Sequence, residues 1–234
     1  MILAAFPKSI QPPNPFSQDL KVDTMNDVSH PRILSNYESY LSVFNLKDDL
    51  KSYFESRDPV LIKQICMNMM MCNQRLKQND KGIPSSSVIN AVVLFIAQKA
   101  CNERKSGTVE GQQREKENIE LFKEITVQLN EETRLSFLNS IVNELRYPNS
   151  HTFFFCLILL RLFVESKPNI QEQISTILFE RLQALRPYPW GLMINFRELI
   201  QNTKYGFMKS PFIAEHQDAI KNLFQNKDRL RPFF

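Results

Sequence analysis

Three histidines, His30, His151 and His216, are all that this chain offers as general bases near neutral pH. His30 precedes Pro31 in a proline-rich stretch. His151 falls in a helix's first turn after Asn149 and Ser150, and His216 lies in the polar run Glu215-His216-Gln217-Asp218. Cys156 follows His151 by five residues, a spacing that puts thiol and imidazole on poorly matched sides of a helix, so that cysteine reads as packing. The four cysteines, Cys66, Cys72, Cys101 and Cys156, show no CxxC spacing and no paired histidines. Each sits in an apolar run where a reduced thiol behaves as a small hydrophobe, so disulfides are not expected and a reducing compartment fits. HExxH, the DxDxDG loop, GxGxxG and GxxxxGK[ST] are all missing. The adjacent carboxylates Glu131 and Glu132 suit the start of a helix better than acid–base work. No catalytic, metal-binding or cofactor-binding residue is expected.

Composition points to helices. Five glycines in 234 residues fall well below the usual roughly 7%, and tight hairpins need more. The charge is mildly basic, +4 with 29 basic against 25 acidic side chains, short of a dedicated nucleic-acid binder. The small groupings Arg181/Arg186 and Lys227/Arg229/Arg231 read as solvated surface in preference to an RNA contact. The two most apolar runs, Val88–Ala97 and Phe153–Val164, are interrupted by Asn90 and Arg161 and are too short to cross a bilayer. They read as helices buried nearly all round. Pro7, Pro12, Pro13 and Pro15 break any signal-peptide core.

These features must be positioned by stacked helices. Residues 1–35 lack a helical period and read as an extended Pro-rich arm. Residues 36–102 form a first helical sub-stack: a helix at Leu46–Ser56, another opening on Pro59 and running over Val60–Met71, and an apolar one capped by Ser85–Ser87 and ending near Asn102. The methionines Met67, Met69, Met70 and Met71 suit core filling better than an adaptable binding surface. Residues 103–117, polar and holding two of the five glycines, are predicted to be a flexible loop. A second sub-stack then spans 118–226. Its apolar stripes include Ile119, Phe122, Ile125 and Leu129, then Leu135, Leu138, Ile141, Val142 and Leu145. Asn130 is expected to cap the second of these, and Pro168-Asn169 with Glu172 gives a capping-box signature for a later helix. A basic tail, 227–234, closes the chain. The expectation is one all-α domain of HEAT-like, stacked antiparallel helix pairs, although no repeating consensus is visible.

Arg186 to Gln201 stands apart, with the only tryptophan beside a glycine at a turn fixed by Pro187 and Pro189. Trp190 reads as a wedge between helices, with Gly191 permitting close approach. Aromatic and basic residues near exposed turns are also what interfaces recruit. On that ground Arg186, Tyr188, Trp190, Arg197, Tyr205 and Phe207 are the candidate partner-binding residues.

This segment, Arg186-Pro187-Tyr188-Pro189-Trp190-Gly191-Leu192 followed by Phe196, Glu198-Leu199-Ile200 and Asn202, resembles a characteristic stretch of a known family. That family is the C-terminal homology domain of the large scaffold subunit of the Ccr–Not mRNA deadenylase complex. Ile2–Pro7, Pro31–Leu34, Leu145–Thr152 and Ile170–Ile174 running on to Glu180-Arg181-Leu182 agree in order. The loop at 103–117, Arg161 and Met208-Lys209-Ser210 depart from the pattern, and the chain reads as a fragment of a longer scaffold.

The resemblance implies a non-enzymatic HEAT-like module without cofactors. Its partners would be the Not-two type and the Not-three/five type subunits, with which it forms the Not module. Short linear motifs of mRNA-binding regulators are further implied partners; RNA would be bound only weakly or through the assembled module, and no membrane is involved. Deadenylation, mRNA decay and translational repression in the cytoplasm, including processing bodies, and in the nucleus are the implied setting. The alternative is a helical-repeat domain that binds RNA directly, which calls for regularly spaced base-reading side chains that the sequence does not display. A hydrolase is the third reading, and it lacks a polar constellation to carry it.

Overall fold

The computed structural model describes residues 37–42, 45–78, 85–103, 109–146, 150–184 and 189–225. The extended arm and the basic tail expected at 1–35 and 227–234 lie outside them. Ten α-helices follow in order: α1 (Tyr37–Leu41), α2 (Leu46–Ser56), α3 (Pro59–Gln78), α4 (Ser85–Glu103), α5 (Val109–Gln128), α6 (Glu131–Asn143), α7 (Ser150–Glu165), α8 (Pro168–Ala184), α9 (Trp190–Gln201) and α10 (Pro211–Gln225). Two 3₁₀ turns, Thr203–Tyr205 and Phe207–Lys209, join the last pair. The described residues contain no strand, so the fold is all-α.

From α3 onward the helices alternate between two layers. In one, α3 packs on α5, α5 on α7 and α7 on α9; in the other, α4 packs on α6, α6 on α8 and α8 on α10. Each helix also touches its successor along the chain from α3 to α9. This is the stacking of antiparallel pairs that the sequence predicts. The two sub-stacks are bridged directly, α3 to α5 and α4 to α6, and share one core. That core is built around α4 and α7, where Val88, Ile89, Val92, Ile96, Phe154, Phe155 and Phe163 are almost wholly enclosed. Burial on every side is what an apolar helix without a polar stripe must find.

Helix starts follow local chemistry. Asn130 accepts the Thr133 backbone N–H at 2.9 Å, as expected of a cap, with Glu131 and Glu132 in the first turn of α6. Asp58 caps α3 through Val60 N–H at 2.9 Å, and Pro59 fills the first helical position, where its missing N–H costs nothing. The helix continues past Met71 to Gln78. Among its methionines Met69 is fully enclosed and Met67 is 53% exposed, so one of the cluster faces solvent.

Two expectations are corrected. The segment predicted as a loop is helical from Val109 onward, since α5 takes in residues 109–117; residues 104–108 lie outside the described part. Gln, Arg, Lys and Glu are good helix formers, and here Gln113 and Arg114 both reach Glu117, one turn on. Arg57 then ties the new helix to the first sub-stack, donating to Asn118 Oδ1 at 2.9 Å. Polarity had been mistaken for looseness. At α8 the capping residue is not Asn169: the Lys167 carbonyl accepts from Ile170 and Gln171 at 2.9 and 3.1 Å, and Pro168 occupies the first helical position.

Candidate partner interface

The junction at Trp190–Gly191 shows what its unusual sequence is for. Trp190 N–H donates to the Arg146 carbonyl at 3.2 Å, fastening the start of α9 to the end of α6. A Cβ on Gly191 would collide with Thr152 Cγ2 and stand 2.6 Å from the Leu145 carbonyl oxygen. Only a residue without a side chain allows α9 to lie this close. Thr152 Oγ1 donates to the Glu144 carbonyl at 2.9 Å, so the three segments are locked together. Behind them Asn195 Nδ2 donates to the Gly191 carbonyl at 3.0 Å and reaches Cys156 Sγ at 2.7 Å. The Trp190 ring is half-buried against the core.

The candidate residues therefore separate. Arg186 and Tyr188 lie outside the described residues. Trp190 is half-buried against the core, with its backbone N–H on the Arg146 carbonyl. Arg197 is half-buried, donating through Nε to Gln201 at 3.1 Å. Tyr205 is half-buried, and its phenol titrates above the ordinary range because of burial and the neighbouring Glu198. Phe207 is the correction: it is 1% exposed and sits amid Phe163, Phe196 and Phe212, with ring centroids 5.7, 5.5 and 6.3 Å away. Its ring completes the C-terminal core and presents nothing to a partner. The 3₁₀ turn carrying it looks like an exposed loop in sequence, and only packing turns the side chain inward.

Burial also decides the cysteines. It pushes the Cys66 thiol up to about 12 and Cys72 to about 11, and raises Cys156 further still. These thiols stay neutral and act as packing groups. Of the histidines, His216 stacks on Phe212 with ring centroids 4.4 Å apart. His30 and the His151 side chain lie outside the described residues. Among the described residues no cluster of three His, Cys, Asp or Glu could hold a metal ion, and no helix is long and apolar enough to cross a membrane.

What the described surface offers is grooves. The larger, about 600 Å³, runs between α6 and α8 and is lined by Glu131, Glu132, Leu135, Asn169, Glu172 and Thr176, with Arg134 and Gln173 at its floor. Arg134 is nearly enclosed, donating to Gln173 Oε1 at 2.6 Å and to the Leu129 carbonyl at 3.2 Å, which fixes the floor. Farther along the same two helices Arg181 lies across Asn139 and Asn143, its Nε and both terminal nitrogens hydrogen-bonded to their amide oxygens. A second cavity, about 370 Å³, opens on the other side of Asn143 between α1, α4 and α6, lined by Tyr37, Tyr40, Ser86, Ser87 and Asn90. Arg181 reads in sequence as part of a small basic grouping on a solvated face, and the other residues are ordinary in type and carry no interface signal. Their proximity is produced by stacking alone.

A two-layer helical stack with open grooves and an apolar core is a protein of the helical-repeat class. The comparisons make the assignment specific. Residues 1–227 match the family described as "CCR4-Not complex component, Not1", and the chain belongs to that family. It is 36% identical over 97% of its length to the CCR4-NOT transcription complex subunit let-711 of Caenorhabditis elegans, covering 9% of that protein. It is 31% identical, again over 97%, to the general negative regulator of transcription subunit 1 of Schizosaccharomyces pombe, covering 11% of it. The chain thus spans about a tenth of the length of these relatives. Among solved structures, the NOT1 superfamily homology domain from Chaetomium thermophilum superposes with a TM-score of 0.64 at 26% identity, over 91% of this chain and 42% of that one. A Not1 C-terminal domain in complex with Not4 superposes at 0.61 and 24% identity, over 91% and 44%.

Proposed function

We propose that this chain is the module of a Not1-type scaffold on which the Not-two type and Not-three/five type subunits assemble. The observation that carries the reading is the family match across residues 1–227 on a helical stack whose described surface bears open grooves and whose cysteines are packed away. A rigid stack gives extended segments of a partner long tracks to lie on, and such segments cover large areas despite the entropy lost on ordering. The module contributes binding, and mRNA deadenylation, decay and repression belong to the complex it helps to build, in cytoplasm and nucleus. That it works by binding and not by catalysis is part of the same reading.

The test is co-purification of the chain with the C-terminal regions of the two smaller Not subunits, read by size-exclusion chromatography with light scattering. A stoichiometric ternary complex that persists in high salt is the expected result. A folded chain that elutes alone refutes the reading and moves direct RNA binding to the front.

A further inference from the structure

Arg181 is half-buried and held on three sides. Asn139 Oδ1 accepts from Nε at 3.2 Å and from one terminal nitrogen at 2.7 Å, while Asn143 Oδ1 accepts from the other at 2.5 Å. Three of the five guanidinium N–H groups are thereby used, leaving one on each terminal nitrogen. Both cradling groups are neutral amides. Arg57 and Arg161, by contrast, lie beside Glu117 and Glu165, whereas no described carboxylate comes within ion-pair distance of Arg181. Partial burial already lowers its pKa, the mark of a cation that has lost water without gaining a counter-charge. A planar donor fixed in this way is preorganised for an incoming oxyanion.

The same two helices lead from this cation to the groove. Hydrogen bonds from Arg134 to Gln173 and from Arg181 to Asn139 and Asn143 show that α6 and α8 run parallel. The exposed carboxylates of Glu131 and Glu172 line the groove with Leu135, which is 40% exposed, and Arg181 lies beyond its lining, farther along the same two helices over Asn139 and Asn143. Glu131 and Asn139, over which the Arg181 guanidinium lies, are eight residues apart on α6, about 12 Å at the helical rise, which an extended chain covers in about four residues. A negative end, an apolar step and a positive end suit a polypeptide carrying both signs. They do not suit a nucleic-acid backbone, whose uniform negative charge the Glu131/Glu172 end repels.

We infer that the α6–α8 groove binds an extended protein segment that places an acidic side chain on Arg181, an apolar one on Leu135 and a basic one, about four residues from the first, against Glu131 and Glu172. This rests on the scaffold reading above and adds where, and by what chemistry, a partner docks.

The experiment uses the C-terminal regions of the Not-two and Not-three/five type subunits, titrated against the chain and against Arg181→Glu, Arg181→Lys and Leu135→Ser. A photo-crosslinking amino acid in place of Leu135 maps the contact. Arg181→Glu is expected to raise the Kd at least tenfold with an unchanged helical spectrum, and Arg181→Lys to retain part of the affinity. The crosslinked segment should carry opposite charges four or five residues apart, and replacing its acidic residue with Lys should restore binding to Arg181→Glu. A ternary complex that forms with unchanged Kd for Arg181→Glu and crosslinks elsewhere overturns the groove assignment and leaves the scaffold reading intact. A wild-type chain that forms no complex overturns the scaffold reading, and the groove assignment with it. Binding of a uridine decamer that is lost in Arg181→Glu would reassign the cation to phosphate.

Discussion

The Gly191 junction and the Arg181 cradle are both polar joints between helices, and they do opposite things. At the junction every group turns inward: Trp190 N–H to the Arg146 carbonyl, Thr152 to the Glu144 carbonyl, Asn195 to the Gly191 carbonyl. At the cradle two amides support a guanidinium with one N–H group left over on each terminal nitrogen. The first is the most distinctive stretch of the sequence and is occupied with holding α6, α7 and α9 together. The second joins an arginine that reads in sequence as solvated surface to two ordinary asparagines, and it has bonding capacity to spare. Distinctiveness in this chain follows steric demand, because close approach admits very few residue types while a groove wall admits many.

Substitutions separate the two regions by what they damage. Gly191→Ala should have the largest effect. In an unconstrained helix the change would stabilise by about 1 kcal/mol; here the added Cβ meets the Leu145 backbone, which has little room to yield. A net loss of about 2–3 kcal/mol is expected from overpacking. For a domain of this size that lowers the Tm by roughly 4–12 °C, measurable by calorimetry. A stabilised Gly191→Ala would show that α9 is free to shift and would dissolve the contrast.

Glu144, at the same junction, gives a comparable effect through pH. Burial pushes its carboxyl up to about 7 from an ordinary value of 4.5. The folded state therefore holds this proton after the unfolded chain has released it. Its stabilisation is complete below about pH 4.5, falls as pH rises toward 7, and is flat above. The full span is about 3 kcal/mol. Glu144→Gln should remove this component, so the gap in unfolding free energy between variant and wild type should widen in the variant's favour from pH 5 to 8. A constant gap would mean the carboxylate is hydrated in the folded chain.

The cradle should show smaller effects of another kind. Arg181→Glu is expected to leave the Tm within about 2 °C, since a partly exposed cation without an ion pair contributes little to stability. It should cost a tenfold or greater loss of partner affinity, about 1.4 kcal/mol or more. Asn143→Ala should be the mildest, weakening partner binding about threefold by loosening one support of the guanidinium, with the fold intact by circular dichroism. Were Asn143→Ala to lower the Tm as far as Gly191→Ala, the cradle would be a second structural joint and the distinction between the regions would fail.

Much of the fold was legible because it depends on local patterns. The helices at Leu46–Ser56 and Trp190–Gln201, the Asn130 cap and the enclosed helices at α4 and α7 follow from periodicity, capping and apolar content. The errors have definite causes. Residues 109–117 looked like a loop because polarity and glycine were weighed above the helix-forming tendency of Gln, Arg, Lys and Glu. Phe207 reads as an interface residue because it is aromatic and near a turn, whereas three phenylalanines from α7, α9 and α10 surround it. The close approach expected at Gly191 is present, with Thr152 and the Leu145 carbonyl where a Cβ would stand.

Local pattern and residue order are enough to make this chain helical, to bury α4 and α7 and, through motifs in register, to mark its family. Each of these rests on residues near one another in the chain or on their order along it. Packing alone brings Arg181 over Asn139 and Asn143, 42 and 38 positions away in sequence, on the pair of helices that also carries Glu131 and Glu172. Which faces of α6 and α8 meet depends on how α7 packs between their ends, and the side chains lining the groove do not record that packing.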